Sequence, residues 1–181
     1  MGYSVEITPM DQEAMFDVRY NMPILDDFIS SFSMEESPDT DEFFSSVEFK
    51  ILRLGPRRIL IQSSISEEYQ IEHRIATCNS DPQNLSVVNV SDLYLGIQLA
   101  GTDALEVLAH AVPLNLHEFA IGDATSTAVF SIAGIVTRTA EETFSLYIDR
   151  SYFDYVWCRL HVCGLKELSD HSQIHSIRVY E

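Results

Sequence analysis

Positive charge is scarce in this chain. Eleven Lys and Arg stand against 28 Asp and Glu in 181 residues, a formal net charge of −17. Binding nucleic acid requires cations that replace the counterions around phosphate, so this balance excludes nucleic acid as the partner. It argues equally against an anionic membrane surface. No apolar run approaches the roughly 20 residues of a membrane-spanning helix, and the first residues lack the basic-then-apolar order of a secretory signal. Cysteine is scarce: Cys78, Cys158 and Cys163 make an odd number, whereas a secreted disulfide framework favours an even one. A cytoplasmic chain with reduced thiols is therefore expected. In that setting the glycosylation-like triplets at Asn84 and Asn89 carry no meaning.

Glycine (7) and proline (6) are also few, which excludes a low-complexity chain. No Gly-rich phosphate loop and no G-x-G-x-x-G after a strand occurs, so no means of binding a dinucleotide is visible. No G-x-S-x-G elbow presents a nucleophilic serine. Against these absences stand 46% hydrophobic and 10% aromatic residues, enough for a sizeable core.

The acids crowd the front. Residues 1–48 hold twelve of them and one base, Arg19, for a net charge of −11. Met15, Phe16, Ile24, Leu25, Phe28, Phe32, Phe43 and Phe44 lie among them. Two readings of residues 1–45 stand side by side. One is a loosely ordered acidic arm. The other is an arm whose phenylalanines anchor it, and whose carboxylates steer it, on a basic partner surface.

Beyond the front, alternation and turn residues mark elements. Residues 47–63 predict a hairpin: "VEFKILRL", a turn at Gly55-Pro56-Arg57, and "RRILIQ". Ser64 and Glu67 have capping-box spacing for a helix to Thr77 with Ile71 and Ile75 on one side. Residues 78–84 read as a loop. "LSVVNVS" and "LYLGIQLAG" read as strands, and "TDALEVLAHA" as a helix capped by Thr102 or Asp103. "TSTAVFSIAGIVTR" and "TFSLYIDR" follow as strands separated by "TAEE". Ser151 is then expected to cap a helix ending at Gly164, with Phe153, Val156, Trp157, Leu160 and Cys163 along one stripe. Strands with few, separated helices indicate α+β architecture: antiparallel sheets with packed helices. The expected organisation is an arm (1–45), a main domain (46–164, with possible related halves near 46–84 and 85–164) and a tail (165–181).

Two places look chemical. "CRLHVC" groups Cys158, His161 and Cys163, but at about 100° per residue Cys163 lies about 140° around the helix from Cys158, so one ion does not easily collect all three. His171 and His175 contribute only if the tail folds back. Buried thiol and surface histidines are the simpler expectation, with no metal site. The second place is "AVPLNLHEFAIG" (Ala111–Gly122). His110 and His117 flank its proline, yet a catalytic histidine needs an orienting carboxylate or a nucleophile within reach, and nothing in the spacing singles one out. Pro113, Leu114, Asn115, Leu116 and His117 form a candidate partner-docking loop. No catalytic or cofactor-binding residue is assigned.

Taken together, Leu54-Gly55-Pro56, Val90-Ser91-Asp92, Ala100-Gly101-Thr102-Asp103-Ala104, Pro113-Leu114-Asn115-Leu116-His117, Thr137-Arg138 and Arg150-Ser151-Tyr152-Phe153-Asp154-Tyr155-Val156-Trp157 resemble the gamma subunit of heterotetrameric sarcosine oxidase over about residues 47–162. The resemblance implies a fold akin to the folate-binding aminomethyltransferase domain and a chain without its own prosthetic group. It implies alpha and beta partner subunits holding FAD, FMN, NAD and tetrahydrofolate, and a small delta subunit holding zinc. The complex so implied oxidatively demethylates sarcosine or a related N-methyl amine and passes the one-carbon unit to tetrahydrofolate. Active aminomethyltransferases place an essential carboxylate in an Asp-x-Ser segment. Here the matching residues are Asn89-Val90-Ser91, and an amide cannot accept a proton at neutral pH. Asn115 and Thr102 depart from the family's Asp and Pro. A stand-alone folate-binding aminomethyltransferase-like protein is the alternative.

Overall fold

The computed structural model describes residues 2–21, 28–30, 32, 37–78 and 84–164, the side chain of Cys78 excepted. The architecture is α+β: two five-stranded antiparallel sheets with few helices. The chain divides into two compact units, one of residues 1–11, 93–121 and 126–181, the other of residues 12–92 and 122–125.

The first unit is built on the order β1-β7-β10-β9-β8. Its strands are β1 (Glu6–Pro9), β7 (Tyr94–Ala100), β8 (Ala124–Val129), β9 (Ile132–Ala140) and β10 (Thr143–Asp149). In β10 every residue from Phe144 to Ile148 is buried. This is the expected fate of a near-continuous apolar run: a central strand covered on both faces. It pairs Leu146 with Ile97 on one side and with Val136 on the other. Among the described residues the unit has two α-helices, α2 (Ala104–Ala109) and α3 (Phe153–Gly164). They supply Val107, Leu108, Val156, Trp157 and Leu160 to a core shared with Ile97, Leu99, Phe144 and Leu146.

The second unit has the order β3-β4-β5-β2-β6, made of β2 (Glu13–Tyr20), β3 (Phe43–Ser45), β4 (Phe49–Gly55), β5 (Arg58–Ser64) and β6 (Leu85–Asn89). The expected hairpin is β4 and β5, turning at Pro56-Arg57. Helix α1 (Glu68–Cys78) follows a short 3-10 turn whose N-cap is Ser64, and its Ile71 and Ile75 join Phe16, Val18, Ile51, Ile59 and Ile61 in the core.

Four sequence expectations need correction. The acidic front is no separate arm among its described residues. β1 pairs with β7, and β2 is an inner strand between β5 and β6. Ala14, Met15, Phe16, Val18, Phe28 and Phe32 are all buried. The acids misled because they alternate with the apolar residues of an amphipathic strand, leaving Glu13, Asp17 and the basic Arg19 on the opposite side of the pleat. The compact units also cut across the expected division at residue 84, since the first unit draws β1 from the extreme front. "TSTAVFSIAGIVTR" is two strands: Phe130 and Ser131 take φ of 47° and 70° and reverse the chain, as a type I′ turn requires of its two central residues. Finally, Asp149 caps the turn into α3, not Ser151. Its carboxylate accepts the Ser151 N–H at 2.8 Å and the Ser151 hydroxyl at 2.5 Å. The tail 165–181, with His171 and His175, and most of the loop 78–84 lie outside the described residues.

Candidate functional site: the loop after α2 and the pocket beside it

The loop begins where α2 runs out of helix formers. Ala111 and Val112 both donate to the Leu108 carbonyl, at 2.8 and 3.1 Å, and Pro113 then supplies no N–H to continue. Short turns follow, from Leu116 N–H to Leu114 C=O at 3.0 Å and from Glu118 N–H to Asn115 C=O at 3.0 Å. The five residues expected to dock divide in two. Leu116 is 3% exposed and belongs to the unit's own core, and Leu114 packs partly against that core. Pro113, Asn115 and His117 are exposed. The leucines therefore anchor the loop inward, and what it presents outward is a proline, an amide and an imidazole. Two further ties hold it. The Phe119 carbonyl accepts from Arg138 Nη1 at 2.7 Å, and the Ala111 carbonyl accepts the Phe130 N–H at 2.8 Å.

The second tie shapes a cavity of about 450 Å³ beside the loop. Its wall includes His110 and Pro113 from the loop, Phe130 and Ser131 from the β8–β9 turn, and Tyr155 and Arg159 from α3. Left-handed backbone costs a side-chain-bearing residue roughly 1–2 kcal/mol. The Phe130–Ser131 turn meets that cost with the bond to Ala111 and with the Arg159 guanidinium, which lies 4.8 Å from the Phe130 ring centroid. Sequence reading missed this pocket. Tyr155 and Arg159 are one helical turn apart, a visible signal, but Val129-Phe130-Ser131-Ile132 holds no Gly, Pro, Asn or Asp that would have marked the opposite wall.

A polar cluster in the second unit occupies the segment singled out by its resemblance to Asp-x-Ser. The Asn89 side-chain amide donates to Glu68 Oε1 at 2.9 Å, and the Ser91 hydroxyl donates to the same oxygen at 2.6 Å. Asn89 Oδ1 in turn accepts the Ser91 N–H at 3.0 Å, and Ser91 Oγ accepts the buried Met15 N–H at 3.0 Å. The hydroxyl of Ser91, then the amide of Asn89, hold the Glu68 carboxyl below its ordinary pKa. Glu68 comes from the first turn of α1, so the cluster clips that helix to the end of β6. Nothing in the Asn89-Val90-Ser91 pattern points to Glu68, which is 21 residues distant from Asn89.

The "CRLHVC" group does not assemble. His161 Nδ1 lies 2.9 Å from the Trp157 carbonyl, with its ring beside the indole at 4.3 Å. Cys158 and Cys163 both pack partly against the core, so Cys158 does not face away from it as the helical angles suggested. Burial raises the Cys163 thiol pKa. Among the described residues no three His, Cys, Asp or Glu side chains gather as a metal would need.

Comparison with known proteins decides the family. Residues 33–165 match the model of the sarcosine oxidase, gamma subunit family. The chain belongs to that family. No curated protein sequence matches it, but solved structures share its fold. Heterotetrameric sarcosine oxidase from Corynebacterium sp. U-96, solved with pyrrole 2-carboxylate, contains a chain that superimposes with a TM-score of 0.80 at 18% identity, covering 97% of this chain and 88% of that one. Aminomethyltransferase T of the glycine cleavage system from Bartonella henselae gives 0.69 at 12% identity, over 87% of this chain and 45% of that one. The gamma-subunit fold is thus similar to a part of the aminomethyltransferase. Among the described residues of this family member no helix is long and apolar enough to cross a membrane.

Proposed function

We propose that this gamma-family chain is a non-catalytic structural subunit of a heterotetrameric sarcosine oxidase-type flavoenzyme. The complex oxidatively demethylates sarcosine or a related N-methyl amine and hands the one-carbon unit to tetrahydrofolate. FAD, FMN, NAD, tetrahydrofolate and zinc belong, on this reading, to alpha, beta and delta partner subunits. The family match over residues 33–165 carries the proposal. Two features support it. An amide, Asn89, stands where aminomethyltransferase chemistry calls for a carboxylate, and the nearest carboxylate, Glu68, is already engaged by two donors in a helix–strand clip. The loop after α2 is pinned from within by Leu116, which leaves Pro113, Asn115 and His117 as a preformed surface for a partner. The test is co-expression with candidate alpha, beta and delta chains. A stable complex with flavin absorbance is expected, lost when this chain is omitted, while the purified chain alone is colourless. A lone chain that retains flavin or turns over an N-methyl amine refutes the proposal.

One observation favours the alternative of a stand-alone folate-binding protein. Glu68 brings a carboxylate within hydrogen-bond distance of the Asn89 side chain. Calorimetric titration of the isolated chain with tetrahydrofolate separates the readings: measurable heat abolished by Glu68→Gln supports the alternative, and no heat supports the structural subunit.

A further inference from the structure

Among the described residues the cavity beside the loop has no acidic residue in its wall, in a chain with 28 of them. Its cation is Arg159, exposed on α3. The guanidinium lies 4.8 Å from the Phe130 ring centroid and 6.0 Å from that of Tyr155. Among the described residues no carboxylate pairs with it. Ring stacking uses the faces of a guanidinium, whereas its N–H groups radiate in the plane. Beside these ring contacts no hydrogen bond engages Arg159 among the described residues, so its N–H groups are available to another acceptor. His110, Ser131 and Tyr155 add donor-capable groups to the same wall.

We propose that this cavity is a carboxylate-binding pocket. Arg159 recognises the anion, and Phe130, Tyr155 and Pro113 flank the group that carries it. A planar carboxylate matches the two-pronged edge of one guanidinium. A phosphate dianion calls for more positive charge than a single Arg supplies, against the field of a chain at −17. The volume, about 450 Å³, sits at the small-molecule end of ligand cavities, which run from about 300 to 1,000 Å³. The carboxylate has two possible sources: a free small acid, or a side-chain or terminal carboxylate of a partner subunit. Only the second source rests on the proposed function.

The full chain is titrated with benzoate, and with benzamide as its neutral counterpart, and followed by NMR. Benzoate is expected to shift the Arg159 Nε–H and the Phe130 and Tyr155 ring signals saturably, and benzamide to leave them unmoved. Arg159→Gln should weaken benzoate about tenfold or more, as loss of a charge-assisted pair does, with the circular dichroism unchanged because Arg159 is exposed. Tyr155→Phe, which keeps the ring, should retain most of the affinity. Absence of saturable shifts, equal binding of benzamide, or undiminished binding by Arg159→Gln overturns the proposal. The assembled complex then identifies the source. Benzoate exclusion, with weaker assembly of Arg159→Gln, marks a partner carboxylate; continued benzoate binding marks a free acid. If no complex forms, the proposed function fails while the benzoate result on the lone chain stands.

Discussion

Replacing Ser91 by Ala should destabilise the second unit more than its one lost oxygen suggests. The hydroxyl is 4% exposed as part of its residue and does two things. It accepts the N–H of Met15, itself 2% exposed, and it donates to the Glu68 carboxylate. Alanine leaves the Met15 N–H buried without that acceptor, a loss of about 1–3 kcal/mol. The bond to Glu68 lies at a partly solvated site, so it adds only a fraction of that. A total of about 1–4 kcal/mol follows, or about 2–16 °C in Tm for a chain of this size. The loss should also depend on pH. Glu68 has a folded pKa below its ordinary value of 4.5. Its contribution is therefore present above the unfolded pKa and disappears as pH falls through the folded one. The gap between the native chain and Ser91→Ala should narrow on acidification, and Glu68→Gln should show little such narrowing. Urea denaturation followed by far-UV circular dichroism measures both, because the chain's single Trp, Trp157, lies in the first unit and reports on that one. A loss below about 0.5 kcal/mol, the range of an indifferent surface change, would refute the account of the Met15 bond.

Other expectations follow the same logic. Leu116→Ala should cost about 3 kcal/mol by urea denaturation, as for a buried leucine. His117→Ala should leave stability within about 0.5 kcal/mol and weaken only assembly with partner subunits. Ser131→Gly should raise stability by about 1 kcal/mol, since Ser131 sits at φ 70°; a decrease would show that its side chain makes a compensating contact. Gly101→Ala should cost more than about 2 kcal/mol, because Gly101 has φ 133° and an added Cβ would strike the Ser4 carbonyl.

The fold class was legible because its strongest strands are apolar over five or more residues or alternate cleanly. The 47–63 hairpin carried both the β-rich flanks and a Gly-Pro turn, and α1 and α3 announced themselves by Ile71 and Ile75 and by Val156, Trp157 and Leu160. What was lost was lost for particular reasons. β2 hides Ala14, Phe16 and Val18 between acids, and a count of charge cannot distinguish an acidic strand face from an acidic coil. The turn at Phe130-Ser131 is set by tertiary contacts, the Ala111 carbonyl and Arg159, which no local pattern encodes. For the same reason the pocket could not be foreseen, while the loop that forms one of its walls could. The clip around Glu68 joins a helix start to a strand end 21 residues later, a pairing set by tertiary placement that no local pattern encodes.

Because β1 pairs with β7 and the Tyr3 N–H donates to the Gly164 carbonyl at 3.1 Å, the first unit cannot close until Gly164 has left the ribosome. The second unit, almost contiguous over residues 12–92, can be complete well before that. During synthesis, residues 2–9 must therefore wait, without their sheet, while the stretch behind them folds. A truncation shortly before Gly164 strands that leading segment even though it lies at the far end of the sequence from the cut.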